Sequence, residues 1–203
     1  MIYKELFDLD KSISKSLFTK FNNEFEVLQK LKEEIENNIF IGNNVIIDKS
    51  ATIIGPCIID DNTVIRPNAY IRENVIIGKN SVLGNSCEIK NSILYDNVQV
   101  PHFNYVGDSI LGYKSHMGAS SIISNLKSVK TNVVIKYKDE KIKTNLKKVG
   151  AFLGDNVEVG CGSVLNPGTI IMPNTKIYPL ISVRGVIESD SIVKDMNNIV
   201  KKI

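Results

Sequence analysis

The 203-residue sequence contains no tryptophan, only two histidines and three cysteines. No apolar run approaches the roughly 20 residues of a membrane-spanning helix, and the opening residues "MIYKELFDLDK" carry charges where a signal peptide has its apolar stretch. Cys57, Cys87 and Cys161 are widely separated and odd in number, which favours neither a metal site nor a disulfide framework. We therefore expect a cytoplasmic protein with free thiols and no membrane contact.

The charge pattern limits the partners. The formal net charge is +3, and acidic and basic residues are interspersed without a basic stripe that alternates with aromatic residues. This argues against a nucleic-acid partner and leaves anionic small molecules as partners. With 43% apolar residues, a chain of this length suits one domain, or one domain with a small appendage.

A six-residue repeat dominates the sequence. An aliphatic residue, called the anchor below, recurs at every sixth position, with two slips of one residue and one interruption. The anchors are Ile41, Ile47, Ile53, Ile59, Ile65, Ile71, Ile77, Leu83, Ile89, Leu94, Val100, Val106, Leu111, Met117, Ile123, Leu153, Val159, Leu165, Ile171, Ile177 and Val183. Small or β-branched side chains stand four residues after many anchors, Cys57 and Cys87 among them, and glycine often follows an anchor directly.

A period of six fits neither an amphipathic helix nor a long alternating strand, but it fits a short strand and a turn repeated around a prism. Three repeats then complete one coil, with the anchors pointing inward, and successive coils pair as parallel strands. We predict an all-β fold, a parallel β-helix of about seven coils between residues 39 and 185. Cys57 and Cys87 fall on inward positions and are expected to fill the core.

Three segments depart from the repeat and complete the predicted domain organisation. Residues 1–38 are predicted to form an N-terminal helical cap on the open first coil, because Phe25, Leu28, Leu31 and Ile35 share one helical face. Residues 126–150 are predicted to form a protruding hairpin inserted into the β-helix of residues 39–185, with two β-prone runs around Asp139 and Glu140. Residues 186–203 are predicted to be a C-terminal cap that contains a short helix.

The inserted hairpin carries eight lysines. Such a charge run is either a solvated loop or a basic arm that holds a phosphate.

One of the two histidines lies within the repeat, in the stretch "VPHFNYVGDSILG". His102 stands two residues after the anchor Val100, so its side chain is expected to point out of the prism, beside Phe103 and Tyr105. An outward histidine is commonly an inert surface residue, but an imidazole with a pKa near neutrality is also the usual general base of an acyl transfer.

The repeat resembles the hexapeptide-repeat acyltransferases, and that resemblance implies a left-handed parallel β-helix. The segments "GNSCEIKNS" and "PHFNYVGDSILG" resemble the acetyltransferase domain of the bacterial bifunctional UDP-N-acetylglucosamine pyrophosphorylase and glucosamine-1-phosphate acetyltransferases. The resemblance implies that His102 is the general base, that Lys90 and Tyr105 hold a sugar phosphate and that Asn125 helps to bind the substrate. It also implies acetyl-CoA as cosubstrate, no metal for the transfer step and a homotrimer with sites between subunits.

Several positions depart from the family pattern. The family's arginine is matched either by Arg66, in "IRPNAY", or by Arg72, so both are candidates for the phosphate. His116 replaces a family asparagine that binds substrate, and Cys161 replaces a serine near the coenzyme. Backbone N–H groups near Gly118, or in the facing subunit, are candidate donors to the oxyanion of the reaction. Gly118 and Cys161 are the candidate contacts to the coenzyme.

The combined interpretation is an acyltransferase that acetylates a sugar phosphate or a nucleotide sugar, for example one similar to glucosamine 1-phosphate. No "GxGTR"-like glycine-rich loop opens the chain, so we do not expect nucleotidyltransferase chemistry. The alternative is a non-catalytic β-helix that binds a nucleotide sugar or organises partners. A zinc enzyme of the β-helical carbonic-anhydrase type would need three histidine ligands, and the chain has two.

Overall fold

The computed structural model describes residues 2–21, 23–35, 38–138 and 140–202 and confirms the predicted parallel β-helix. Seven complete coils and a partial eighth stack along the prism, whose three faces we name A, B and C in chain order. Face A consists of Ile39–Ile41, Cys57–Ile59, Val75–Ile77, Ser92–Leu94, Ile110–Leu111, Ala151–Leu153, Thr169–Ile171 and Val186–Ile187. Face B consists of Ile46–Ile47, Val64–Ile65, Val82–Asn85, Gln99–His102, His116–Met117, Glu158–Val159, Lys176–Ile177, Ser191–Asp195 and Asn198–Lys201. Face C consists of Thr52–Ile53, Tyr70–Ile71, Glu88–Lys90, Tyr105–Gly107, Ile122–Ile123, Val164–Leu165 and Ser182–Val183.

The repeat folds this way because each position meets a different environment. From the second coil onward every anchor is buried, as Ile59, Val100 and Leu165 illustrate with no solvent exposure. Cys57 and Cys87 are also buried, as expected. The turns contain residues in the left-handed conformation, and asparagines such as Asn80 (φ 56°) are the commonest of them, because most bulky residues resist this backbone state.

The N-terminal segment forms α1 (Tyr3–Leu6), a 3₁₀ turn (Leu9–Lys11), α2 (Lys15–Lys20) and α3 (Glu24–Glu34). The predicted apolar face of α3 is buried in full, because Phe25, Leu28, Leu31 and Ile35 are each at most 6% exposed. Among the described residues, no helix is long and apolar enough to cross a membrane.

The predicted position of the helical segment, on the first coil, is wrong. The helices pack against the side of the prism, where Phe25 meets Phe152 edge-on at 5.1 Å between ring centroids and Phe7 meets Tyr95 at 5.1 Å. The reason is the outward side of face A, which carries apolar residues that have to be covered: Ile76, Ile93, Ile110, Phe152 and Ile170. The first coil stays open, because its inward-facing anchor Ile41 is 46% exposed.

The inserted segment does form a hairpin, with antiparallel strands Val134–Tyr137 and Glu140–Lys143, but it does not protrude. It folds back against the prism, burying Val133, Ile135 and Tyr137. The Tyr137 hydroxyl donates to Glu5 Oε2 over 2.7 Å, which ties the hairpin to α1. Asp139 lies outside the described residues.

The predicted C-terminal helix is also wrong. Val186–Ile187 and Ser191–Asp195 continue faces A and B, and Asn198–Lys201 turns back as an antiparallel strand on the end of face B. The β-branched residues Ile192, Val193, Ile199 and Val200 favour strands, and the intervening asparagines favour a turn.

Candidate active site

His102 lies at the corner where face B turns into face C, in the fourth coil. The next two coils place Ala119 and Cys161 at the same position of that corner. His102, Ala119 and Cys161 thus form a column along the prism. Backbone hydrogen bonds connect its coils: Ser120 N–H donates to His102 O over 2.9 Å, and Gly162 N–H donates to Ala119 O over 2.9 Å. Gly118 directly precedes Ala119 in the sequence, so the structure brings His102, Gly118 and Cys161 to one corner.

The backbone at His102 is held by its neighbours in both directions. On one side, strand Gln99–His102 pairs with Val82–Asn85, and a Cβ on Gly84 would lie 1.4 Å from Pro101 O, so only glycine allows this approach. On the other side, the buried Asn104 accepts a hydrogen bond from His102 N–H (3.0 Å) and donates to Gly118 O (2.8 Å). The His102 side chain is left exposed, beside the 57% exposed Phe103.

His116 lies on the outer side of face B, between Gln99 and Glu158 of the adjacent coils. Burial lowers its pKa, Glu158 opposes that shift, and the nearby His102 lowers the pKa further. His116 therefore favours the neutral form at pH 7.

The opposite end of face C, where it turns into face A, gathers the residues expected to bind a sugar phosphate. Asn125 Nδ2 donates to Tyr105 OH over 3.2 Å and also to Asp108 Oδ2. Burial raises the pKa of Tyr105, and the negative charges of Asp108 and Glu88 add to the shift. A Cβ on Gly107 would lie 2.5 Å from Tyr105 OH, so glycine is needed for the tyrosine to lie flat on this coil.

Arg72 and Lys90 reach the same corner, but carboxylates accompany both. Arg72 Nη1 donates to Glu88 Oε1 over 2.9 Å and its Nε lies 3.4 Å from Glu73 Oε2. Lys90 Nζ lies 3.6 Å from Glu73 Oε1, and its side chain is only 18% exposed. The two cations therefore share a network with Glu73 and Glu88.

The two corners are separate groups of residues. No hydrogen bond between described side chains joins His102 to Lys90, Tyr105 or Asn125. Tyr105 follows His102 by three residues, so their Cα atoms are at most about 11 Å apart, a span that one extended ligand can bridge.

Arg66 belongs to neither group of residues. It is exposed at the corner of faces B and C in the second coil, and its side chain has no hydrogen-bond or ion-pair partner among the described residues.

Gly118 is not a free donor, because its N–H donates to Val159 O over 2.7 Å. The N–H groups of Ala119 and Cys161, by contrast, donate to no acceptor in the described chain. The Cys161 side chain is exposed.

Sequence reasoning missed Asn104, Asp108, Glu73 and Glu88. Asn104 carried a signal, since it is an amide at an inward corner position where other coils place Ala69, Cys87 or Ser121. The three carboxylates carried none, because each has a partner that lies one coil away in the chain. Among the described residues, no group of three or more His, Cys, Asp or Glu side chains could hold a metal ion.

Comparison with known proteins gives relatives that share only part of their length with this chain. Bifunctional protein GlmU of Methanococcus aeolicus is 38% identical over 115 residues, which is 57% of this chain and 28% of the relative. The bifunctional sugar-1-phosphate nucleotidylyltransferase/acetyltransferase of Sulfurisphaera tokodaii is 34% identical over 92 residues, 45% of this chain and 23% of that protein. The chain thus spans about a quarter of the length of these curated relatives.

Solved structures with a similar fold include a mutant form of AntD, an N-acyltransferase from Bacillus cereus, in complex with dTDP and coenzyme A. It is 19% identical, with a TM-score of 0.40 over 79% of this chain and 82% of that chain. The family described as the GMPPB C-terminal domain matches residues 53–188, which is most of the β-helix, and the chain therefore belongs to that family.

Proposed function

We propose that the protein transfers an acetyl or other acyl group from acyl-CoA to an amine or hydroxyl of a sugar phosphate or nucleotide sugar. One observation carries the proposal. His102 lies in one column with the free N–H groups of Ala119 and Cys161, at one end of face C, and the polar group of Lys90, Tyr105 and Asn125 lies at the other end. The name of the Sulfurisphaera relative, a sugar-1-phosphate enzyme with acetyltransferase function, agrees with this choice of substrate.

His102 acts as the general base in this proposal. Its imidazole is exposed and has no hydrogen-bond partner among the described residues, so it is free to accept a proton from the acceptor. Asn104 fixes the backbone of His102 and so sets the direction from which the imidazole approaches the acceptor. His116, held neutral by burial, is available to donate or accept a hydrogen bond at the acceptor.

The acceptor attacks the thioester carbonyl as His102 takes its proton. The carbonyl oxygen becomes an oxyanion, and the N–H groups of Ala119 and Cys161 are the donors that this corner offers to it. Collapse of the adduct forms the new amide or ester bond and releases the thiolate of coenzyme A. The proton held by His102 then returns to that thiolate.

The sugar phosphate binds with its phosphate towards Lys90 and Arg72. A phosphate at this corner would compete with Glu73 and Glu88 for the two cations. Tyr105 and Asn125 would hold the adjoining part of the acceptor by hydrogen bonds.

The exposed face C makes a shallow site in one chain, and a homotrimer would deepen it into clefts between subunits. Light scattering should then give about three times the chain mass of 22.6 kDa. A strict monomer that still turns over substrate would exclude shared clefts.

Acetyl-CoA supplied with a panel of amino sugars, sugar 1-phosphates and nucleotide sugars tests the proposal directly. We expect release of free thiol that depends on one class of acceptor, and mass spectrometry should show a gain of one acetyl group. No thiol release with any acceptor would reject the transfer.

A non-catalytic β-helix that binds a nucleotide sugar is the second candidate. It is favoured by the pairing of Arg72 and Lys90 with carboxylates, which leaves less positive charge for a phosphate. Binding of a nucleotide sugar without any acyl transfer would support it.

A further inference from the structure

A second group of cations lies further along the corner of faces C and A. From the second coil onward, the residue after the anchor at this corner is Arg72, Lys90, Gly107, Ser124, Asn166 and Arg184 in successive coils. The cations at the start of this row are paired with carboxylates. Arg184 at its end, and Lys127 next to it at the base of the insertion, have no carboxylate partner among the described residues.

These two cations line a cavity of about 300 Å³. Ser124, Ser128 and Asn166 contribute its other polar groups, and no carboxylate is among the described residues that line it. The hydroxyls of Ser124 and Ser128 donate to no described residue and are free for a ligand. A site with two positive charges, free hydroxyl donors and no acid suits a multiply charged anion.

The cations are held in place by the fold. Asn166 uses its amide N–H groups on Ser182 Oγ (3.0 Å) and Val183 O (2.8 Å), which turns its Oδ1 towards Arg184 Nη2 at 3.0 Å. One of the five guanidinium N–H donors is thereby used, and the others remain for a ligand. Lys127 Nζ donates to Asn132 O over 2.7 Å. The bridge between Leu126 and Lys148 fixes the base of the insertion beside it.

We infer that this cavity is a binding site for a diphosphate group. A planar guanidinium binds two phosphate oxygens at once, and the ammonium of Lys127, which lines the same cavity, neutralises the second phosphate. Val129, 73% exposed, and Leu126, 39% exposed, offer apolar surface next to the anion for the organic part of the ligand.

The identity of the natural ligand rests on the proposed function. Both the donor coenzyme and a nucleotide-sugar acceptor carry a diphosphate, and either would cross face C from this cavity towards the corner that holds His102. The shared chemistry is the diphosphate.

Isothermal titration calorimetry of the full chain with inorganic pyrophosphate, coenzyme A and UDP tests this site. We expect all three to bind, and whichever of coenzyme A and UDP binds more tightly is the source of the diphosphate. Arg184→Ala and Lys127→Ala should each weaken binding about tenfold, which is about 1.4 kcal/mol. Arg184→Lys, which keeps the charge but loses the two-pronged contact, should lie between Arg184→Ala and the unchanged protein.

Lys49→Ala is the matched control, because it removes one positive charge from the exposed first coil and should leave binding unchanged. Equal binding by the unchanged protein and Arg184→Ala, or no binding of any of the three compounds, would overturn the inference. Circular dichroism of each variant shows whether the fold is retained. If diphosphate binds through Arg184 but no acyl transfer is found, only the proposed function is contradicted. If Arg184→Ala transfers the acyl group with an unchanged KM for both substrates, only this binding site is contradicted.

Discussion

Arg72 donates a hydrogen bond from its Nη1 to Glu88 Oε1 over 2.9 Å, between neighbouring coils of face C. The same carboxylate neighbours Tyr105 in the next coil, and its charge raises the pKa of that tyrosine. Glu88 therefore connects two of the residues expected to hold a sugar phosphate, and in the proposed binding mode a phosphate would compete with it for Arg72.

Glu88→Gln should consequently strengthen the binding of a sugar 1-phosphate. Loss of a partly exposed ion pair is worth up to about 1 kcal/mol, so we expect a gain in affinity of about two- to fivefold. Calorimetry with glucosamine 1-phosphate measures it, and Glu33→Gln, on the exposed side of α3, is the control. Unchanged affinity in Glu88→Gln would show that Arg72 does not contact the phosphate.

His116 should titrate below the ordinary histidine value of 6.5, because burial lowers its pKa. The folded protein then binds fewer protons at this residue than the unfolded chain does, so His116 destabilises the fold as the pH falls below about 6.5. NMR titration resolves the two histidine signals, and His116→Gln assigns them. A pKa at or above 6.5 for His116 would contradict the burial described here.

His116→Gln should also flatten the pH dependence of stability on the acid side. Melting temperatures measured from pH 7 to pH 5 should fall less steeply for this variant than for the unchanged protein.

The three cysteines should differ sharply in reactivity. Cys161 is exposed, whereas Cys57 and Cys87 are buried; burial raises the pKa of both and brings that of Cys57 to about 11. Because the thiolate is the reactive form, a thiol reagent at pH 8 should label one cysteine per native chain and all three after unfolding. Rapid labelling of more than one thiol in the native protein would contradict the packing of the coils.

The coils could be predicted from the sequence because their cause is local. Aliphatic anchors at every sixth position are all buried when the chain forms stacked coils, and Ile59, Val100 and Leu165 are buried in this way. The alternation of Val133, Ile135 and Tyr137 in the insertion likewise gives a strand with one buried side.

The placement of the helices was missed although the sequence contains the reason. The residue before the face A anchor is apolar in coil after coil, as at Ile93, Ile110 and Phe152, and such an outward column has to be covered. The N-terminal segment covers part of it instead of the first coil.

The electrostatics of the site could not be predicted from the sequence. Arg72 and Glu88 stand 16 residues apart, and their contact depends on the stacking of two coils and on side-chain rotamers. The arrangement of Asn125 with Asp108 depends on the same stacking.

His102→Ala, compared with His116→Ala, tests the central claim most directly. Because the His102 side chain is exposed, its removal should leave folding and the affinity for acetyl-CoA nearly unchanged. The rate of acyl transfer should nevertheless fall by about a hundred- to ten-thousandfold, the usual contribution of a positioned general base. We predict a much smaller loss for His116→Ala. Loss of turnover in His116→Ala with full turnover in His102→Ala would contradict the assignment of the base, and undiminished transfer in both variants would contradict histidine base catalysis altogether.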